Sequence, residues 1–285
     1  MNWIAVEHGK SQMRAWSIRD GKASAPAIGE NTGSAAQDLS EHALIQLIGD
    51  WLGPRPTLVL ISGKTKTPER PVPTAPIDLT PVRIPTTDAR VLAYGLPGLS
   101  QSTPPDLMYS DATRIAGFLA LNQGWDGVVC QPGPHTSWAL ISAGEVVSFQ
   151  SFLTADMANL LSHQFSLEDI THQTDWTTQT YARALDDVLA RPERLATALN
   201  VLRIGDPVQD LPKAEAQARL WGALVGAELA AARPYWLGQQ LAVIAPKALS
   251  APYLQAFRHQ GVPVTIADAE RMTLAGLTAA RKRLA

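Results

Sequence analysis

Two stretches of the chain share an order of apolar and polar positions that predicts a strand, a glycine turn and a second strand. In the first stretch, the predicted strands flank Gly9, and the second of them begins near Met13. In the second stretch, the predicted strands 127–130 and 137–141 flank Gly133. Each glycine lies three residues after the last apolar residue of one strand and four residues before the next strand. This repetition predicts an internal duplication, with two related halves facing each other across a cleft.

The first half continues with an alternation of helix and strand. Ser40 is a suitable N-cap for a helix over 40–51, whose apolar residues fall on one face. The continuous apolar run 57–62 predicts a strand that is buried on both faces. The proline-rich tract 63–106 predicts a long irregular segment, because prolines exclude helix and central strand, and such segments often carry function. A helix over about 110–123 follows.

The second half repeats this alternation after its hairpin. Together the two halves predict an α/β protein with two domains, 1–122 and 126–285, and the last helix is free to cross back to the first domain. The predicted elements of the second half are helices near 154–164, 177–190, 193–200 and 213–233, a strand at Leu241–Ala245, a helix over 250–260, a strand over 262–266 and a last helix from about Asp268.

Composition narrows the class of protein. The 285 residues suffice for one large domain or two ordinary ones, and 46% hydrophobic with 18% charged residues is typical of a globular chain. A net charge of -2 gives no indication of a nucleic-acid or membrane partner. No signal-peptide pattern opens the chain, and no apolar run approaches the roughly 20 residues of a spanning helix. We expect a cytoplasmic protein in which the single cysteine, Cys130, is a buried core residue.

The two glycine hairpins suggest one kind of chemistry. A glycine between two strands lets backbone N–H groups approach a phosphate closely. On facing hairpins, Gly9 and Gly133 would hold the phosphates of a nucleotide from both sides. The alternative is that both glycines only serve tight turns, and spacing alone does not decide between these interpretations.

Three motifs occur in an order and at distances that resemble one enzyme family. Trp3–Trp16 resembles W-I-A-V-D-W-G-T-T-N-L-R-A-W, segments within 105–119 resemble P-D-V-M-R-G-E-E-T-Q-I-A-G, and Pro132–Trp138 resembles P-G-T-H-S-K-W. The family is that of the 2-dehydro-3-deoxygalactonokinases, sugar-acid kinases of the actin/hexokinase/heat-shock-70 ATPase superfamily. The resemblance covers most of the chain. It implies an α/β fold of two duplicated ribonuclease H-like domains around a central cleft.

The resemblance also implies the reaction and the site. ATP and Mg²⁺ would serve the phosphorylation of 2-dehydro-3-deoxy-D-galactonate or a similar 2-keto-3-deoxy sugar acid, and a homodimer is compatible with it. Glu7 would be linked to the metal and to catalysis, and Asp111 would orient or deprotonate the substrate hydroxyl. The expected nucleotide and phosphate site comprises Gly9, Lys10, Ser11, Arg14, Gly133, His135 and Thr136. The expected substrate site comprises Lys64, Arg70, Thr154 and Asp156.

Several site positions depart from the family motifs. Glu7 replaces an aspartate, and Lys10 and Ser11 replace two threonines. Ala112 replaces the second of two paired glutamates, and Pro134 replaces a threonine and removes a backbone donor. The added methylene of Glu7 moves its carboxylate by about 1 Å, and a displacement of that size can cost about 10²-fold in rate. The alternative is therefore a catalytically degenerate paralogue that acts as a sugar-acid or nucleotide sensor or as a partner subunit.

Single residues also keep two interpretations. Glu7 either places Mg²⁺ through water or is a solvated turn acid, and Asp111 is either a base or a helix N-cap. Arg14 either pairs with an acid or faces phosphate. Lys64 belongs to a basic loop that either receives a carboxylate or phosphate or is only solvated. For His135 we expect a hydrogen-bonding role in its turn.

Overall fold

A computed structural model describes residues 2–9, 12–30, 39–167, 178–204 and 212–284. It confirms the predicted α/β fold and divides into two compact units. The first unit consists of the described residues within Met1–Trp125, Ile141–Ser148 and Ala269–Ala285. The second unit consists of those within Asp126–Leu140 and Phe149–Asp268. In these ranges, no helix is both long and apolar enough to cross a membrane.

A sheet with the main strand order β3-β2-β1-β5-β8-β7 forms the centre of the first unit, and β4 pairs with β2. β1 is antiparallel to β2 and parallel to β5, which in turn is parallel to β8. A smaller sheet has the order β10-β9-β6. The strands are β1 (Trp3–His8), β2 (Gln12–Arg19), β3 (Lys22–Ala23), β4 (Ala27–Glu30), β5 (Thr57–Gly63), β6 (Arg70–Pro71), β7 (Val82–Arg83), β8 (Val91–Gly95), β9 (Leu99–Ser102) and β10 (Pro105–Met108).

The helices of the first unit are α1 (Glu41–Ile48), α2 (Ser110–Leu121) and α9 (Ala269–Arg281). Ser40 caps α1 as predicted, because its side chain accepts a hydrogen bond from the Ala43 N–H. The expectation that 63–106 is irregular throughout was wrong. β8 pairs along β5 inside the sheet, since its five residues contain no proline and alternate between buried and half-buried positions.

Helix α9 belongs to the first unit; the predicted range 126–285 includes it, but the sequence left open that the last helix crosses back. Its residue Leu277 lies in one core cluster with Trp3 and Trp16. α9 also crosses α2 at two glycines: a Cβ on Gly117 would lie 2.0 Å from the Met272 carbonyl oxygen. The chain therefore returns to the first unit because apolar residues of α9 complete the core under β1 and β2.

Another sheet has the order β13-β12-β11-β14-β15, in which β11, β14 and β15 are parallel, and all of it except Ile141–Ser148 belongs to the second unit. The main sheet of the first unit contains the same succession, in which β3-β2-β1-β5-β8 corresponds to β13-β12-β11-β14-β15. A duplication predicts this correspondence. The strands are β11 (Gly127–Gln131), β12 (Thr136–Ser142), β13 (Glu145–Phe152), β14 (Leu241–Ala245) and β15 (Val264–Asp268). The helices are α3 (Thr154–Gln164), α4 (Thr178–Ala190), α5 (Leu195–Ile204), α6 (Lys213–Ala231), α7 (Arg233–Trp236) and α8 (Lys247–His259).

Candidate functional site

Glu7 lies near the end of β1, where the sheet places it beside Arg14 of β2 and Ser62 of β5. Its side chain is buried, and its Oε1 atom accepts hydrogen bonds from Arg114 Nη2 at 2.6 Å and from Thr273 Oγ1 at 3.2 Å. The interpretation of Glu7 as a solvated turn acid was therefore wrong. β1, α2 and α9 together fix the position of this carboxylate.

Asp111 lies in the first turn of α2. Its Oδ1 atom accepts a hydrogen bond from Arg114 Nη1 at 2.7 Å. The N-cap position belongs to Tyr109, which makes no side-chain capping bond, so the interpretation of Asp111 as a helix cap was wrong. The carboxylate instead belongs to an ion pair with a residue one turn further along the same helix.

Arg114 brings the two candidate carboxylates together, and sequence reasoning missed it. Its side chain is 17% exposed, and its Nε atom is buried with no hydrogen-bond partner in the described part of the chain. Burial lowers the pKa of the Arg114 guanidinium, but Glu7 and Asp111 raise it, and the net shift is upward. One signal was available: the motif P-D-V-M-R-G-E-E-T-Q-I-A-G has glutamine where this chain has Arg114.

The turn after β1 is held by backbone contacts. The Gly9 N–H donates to the Gln12 carbonyl oxygen at 2.9 Å, and a Cβ on Gly9 would lie 3.0 Å from that oxygen. His8 Nδ1 is hydrogen-bonded to the Lys64 carbonyl oxygen at 3.0 Å, which ties the turn to the end of β5. Gly9 therefore serves a tight turn, and this role is compatible with a phosphate contact. Lys10 and Ser11 lie outside the described residues.

The predicted basic residues occupy different positions in the first unit. Arg14 is half-buried in β2, Lys64 is half-buried just after β5, and Arg70 is exposed in β6. The segment before Arg70 is tied to the start of α2, because the Tyr109 hydroxyl donates to Glu69 Oε1 at 2.9 Å. Arg14 is thus the only one of the three whose strand position lies directly beside Glu7.

The second unit contains a separate buried carboxylate, Glu228 of α6. Its Oε1 atom accepts a hydrogen bond from Trp138 Nε1 at 2.8 Å, and its Oε2 atom accepts one from the Tyr253 hydroxyl at 2.7 Å. That hydroxyl is also hydrogen-bonded to Thr136 Oγ1 at 2.6 Å. Burial raises the pKa of the Glu228 carboxyl above its ordinary value of 4.5, although its hydrogen bonds act in the opposite direction.

This network accounts for two predicted site residues. Thr136 and Thr154 are both buried, and both hydrogen-bond to members of the network, Thr154 through the Glu228 carboxylate itself. Their hydroxyls therefore support the start of β12 and of α3 from inside the unit. Sequence reasoning missed Tyr253, whose hydroxyl connects Thr136 to the carboxylate.

The turn between β11 and β12 resembles the turn after β1. A Cβ on Gly133 would lie 3.0 Å from the His135 carbonyl oxygen, the same separation that Gly9 has from Gln12. The Pro134 carbonyl oxygen accepts a hydrogen bond from the Asp156 N–H at 3.0 Å, so the turn is fastened to the first turn of α3. His135 is exposed at this turn.

Comparison with known proteins gives the same family across almost the whole chain. The family model described as 2-keto-3-deoxy-galactonokinase matches residues 7–280. The probable 2-dehydro-3-deoxygalactonokinase DgoK1 of Rhizobium meliloti (strain 1021) is 29% identical over 195 residues, which are 66% of this chain and 64% of that relative. The 2-dehydro-3-deoxygalactonokinase of Escherichia coli (strain K12) is 22% identical over 282 residues, 96% of each chain.

A solved structure shares the fold. It is the crystal structure of a Sinorhizobium meliloti protein proposed to be a 2-dehydro-3-deoxygalactonokinase, with a TM-score of 0.85 and 24% identity over 98% of this chain and 96% of that one. At this identity, the likeness concerns the fold alone. The family match, in contrast, runs from Glu7 of β1 to Ala280 of α9 and includes both units. The chain therefore belongs to the 2-keto-3-deoxy-galactonokinase family.

Proposed function

We propose that this protein is a sugar-acid kinase that transfers the γ-phosphoryl group of ATP to 2-dehydro-3-deoxy-D-galactonate or a similar 2-keto-3-deoxy sugar acid. Membership of the family supports the reaction class. The observation that carries the proposal to this chain is the pair of carboxylates, Glu7 and Asp111, which one buried guanidinium holds at the end of β1 and the start of α2.

In this proposal Asp111 is the residue that acts on the substrate hydroxyl. Phosphoryl transfer needs little covalent help from a protein and depends on positioning and on neutralisation of charge. A carboxylate orients the attacking hydroxyl and accepts its proton, provided that the carboxylate is ionised. The ion pair with Arg114 holds the Asp111 carboxylate in place in the first turn of α2.

Glu7 has an oxygen that suits a magnesium ion. Both hydrogen bonds of its carboxylate in the described part of the chain use Oε1, and none uses Oε2. Mg²⁺ prefers carboxylate and water oxygens and commonly binds through one or two carboxylates plus substrate phosphates. Two carboxylates against one guanidinium also leave this cluster with a net negative charge. Glu7 would hold Mg²⁺ through Oε2, and the ion would neutralise charge on the phosphates.

The two glycine turns would contribute the phosphate contacts. In the first unit these come from the turn at Gly9, from Lys10 and Ser11, and from Arg14, whose position beside Glu7 supports the assignment. In the second unit the assigned residues are Gly133, His135 and Thr136. Thr136 is buried and its hydroxyl is hydrogen-bonded to the Tyr253 hydroxyl, so it would contribute by positioning this turn.

The remaining assignments concern the sugar acid and the surroundings of the enzyme. Lys64 and Arg70 would receive the carboxylate of the sugar acid, a pairing for which cationic side chains are suited. Asp156 in the first turn of α3 is also assigned to the sugar acid, whereas the buried Thr154, which is hydrogen-bonded to Glu228, would act by supporting that turn. We further propose that the enzyme is cytoplasmic and forms a homodimer. The net charge of -2 offers no attraction for nucleic acid.

The proposal is tested by measuring ADP release in a coupled assay with Mg-ATP and 2-keto-3-deoxygalactonate. The wild-type protein should turn over. Asp111→Asn should lower kcat by about 10²-fold or more and leave both KM values nearly unchanged, because a lost general base typically costs 10²–10⁴-fold. The matched control is Asp88→Asn, which removes an acid from the surface ion pair with Arg90 and should change kcat by less than about twofold.

The alternative of a degenerate paralogue predicts a different result. Such a protein would bind Mg-ATP in calorimetry without any turnover of 2-keto-3-deoxy sugar acids. The family match does not favour this alternative. A wild-type protein that neither binds Mg-ATP nor releases ADP would exclude both functions.

A further inference from the structure

Arg114 contacts two carboxylates that belong to different elements. Its Nη2 atom lies 2.6 Å from Glu7 Oε1 on β1, and its Nη1 atom lies 2.7 Å from Asp111 Oδ1 on α2. A guanidinium is planar, and its N–H groups point in fixed directions. Two carboxylates that bind separate nitrogens of one guanidinium therefore have a defined position relative to each other.

The surroundings of Arg114 hold this arrangement in place. Thr113, which directly precedes Arg114 in α2, accepts a hydrogen bond at its Oγ1 from the buried Ser62 hydroxyl of β5 at 2.9 Å. Thr273 of α9 donates to the same Glu7 oxygen that Arg114 contacts. These two hydrogen bonds fasten α2 and α9 to the sheet beside the ion pairs.

Stability alone is a weak explanation for a buried arginine at this place. Replacing a buried ion pair by apolar side chains of similar volume is often neutral or stabilising, because ionic groups lose their hydration on burial. The Nε atom of Arg114 is buried and has no hydrogen-bond partner among the described residues, which adds a further penalty. A neutral side chain would fill the space without this penalty, but it would not connect the two carboxylates.

We propose that Arg114 is a positioning residue for phosphoryl transfer, which fixes the carboxylate of Asp111 relative to that of Glu7. This inference rests on the proposed function, in which Asp111 acts on the substrate hydroxyl and Glu7 lies beside the phosphates. Arg114 itself need not touch the reacting atoms. Its effect follows from alignment, since a displacement of about 1 Å in such a site can lower the rate about 10²-fold.

The first test replaces the shape of the side chain but keeps its charge. Arg114→Lys presents a single ammonium group, which cannot bind two carboxylates in fixed directions as a guanidinium does. In the coupled ADP-release assay we expect kcat to fall about 10- to 100-fold, with KM for ATP and for the sugar acid within about twofold of wild type. Arg90→Lys is the matched control, because Arg90 pairs with Asp88 at the surface, and it should retain wild-type kcat.

The second test separates positioning from a general loss of structure. If Arg114 acts through Asp111, then adding Arg114→Lys to Asp111→Asn should lower kcat by less than about threefold further, because interacting residues give non-additive effects. Arg114→Gln repeats the cycle with a neutral side chain, should Arg114→Lys not fold. Circular dichroism melting of every variant identifies any that are unfolded at the assay temperature.

Three results would overturn the inference alone: wild-type kcat in both Arg114 variants, a loss confined to KM, or single-variant losses that multiply in the double variant. Failure of both Arg114 variants to fold would also overturn it, since the residue would then be needed for stability. A wild-type protein without turnover would instead overturn the proposed function and this inference together, so the two failures can be told apart.

Discussion

At the residue scale, Glu228 shows how the second unit keeps a carboxylate in its core. The side chain is buried in α6, where loss of hydration favours the neutral acid. Hydrogen bonds from Trp138 and Tyr253 favour the ionised form but do not offset burial, so the pKa of Glu228 lies above its ordinary value of 4.5. The folded state therefore binds this proton more tightly than the unfolded state does.

This pKa leads to a prediction for stability against pH. A raised carboxyl pKa stabilises the fold fully below about 4.5, and that contribution is lost as pH rises through the folded pKa, with a slope of at most about 1.4 kcal/mol per pH unit. We therefore subtract the free energy of unfolding of Glu228→Gln from that of wild type, both measured by urea denaturation. This difference should decrease from pH 4.5 towards pH 8. Glu193→Gln, at an exposed position, is the control and should show a constant difference. A difference that increases with pH would contradict the prediction.

Single residues also show where sequence reasoning succeeds and where it stops. Glu7 and Asp111 were predicted as site residues because motif resemblance acts position by position along the chain. Arg114 was missed because its contact with Glu7 joins residues 107 positions apart, and no local pattern encodes that contact. The link from Thr136 to Tyr253 spans 117 positions and was missed for the same reason.

At the scale of elements, periodicity predicted most strands and helices. α3 begins and ends where predicted, at Thr154 and Gln164, and β14 does so at Leu241 and Ala245. β8 was missed because the proline density of 63–106 was applied to the whole tract, although Val91–Gly95 is free of proline. A compositional argument over a long window does not resolve a short strand inside it.

The crossing of α2 and α9 depends on glycine. A Cβ on Gly117 would lie 2.0 Å from the Met272 carbonyl oxygen, and one on Gly276 would lie 2.0 Å from the Thr113 carbonyl oxygen. We predict that Gly117→Ala lowers the free energy of unfolding by about 1–3 kcal/mol, because overpacking forces the backbones apart. Gly49→Ala is the control: nothing lies within 4 Å of its added Cβ, so urea denaturation should show little or no loss. A Gly117→Ala protein as stable as wild type would show that the crossing tolerates a wider separation.

At the scale of the whole molecule, the succession of elements was predictable from the sequence, whereas their grouping into units depends on contacts between distant segments. The two larger sheets share the same order over five strands, as the similar hairpins predicted. The return of α9 to the first unit was left open by the sequence, and the grouping of Ile141–Ser148 with that unit is not visible in the order of elements. They depend on which surfaces fit: for example, Val146 and Thr74 exchange two backbone hydrogen bonds, at 2.9 and 3.2 Å.

Each unit has its own core, and α9 completes that of the first unit. A buried leucine from each core should therefore affect mainly the stability of its own unit. Leu277 packs in a cluster with Trp3 and Trp16, and Leu224 packs in a cluster with Trp138. We predict that Leu277→Ala and Leu224→Ala each lower the free energy of unfolding by about 2–5 kcal/mol, as buried leucines typically do. The two variants are matched in chemistry and in burial, so each serves as the control for the other.

Native-state hydrogen exchange, followed by mass spectrometry of peptides, distinguishes the units. Leu277→Ala should speed exchange in β1, β2 and β5, although these strands lie more than two hundred residues before it in the chain, and should leave β11 and β14 protected. Leu224→Ala should produce the reverse pattern. If either variant speeds exchange equally in both sets of strands, the two units open together, and stability belongs to the whole chain instead of to each core.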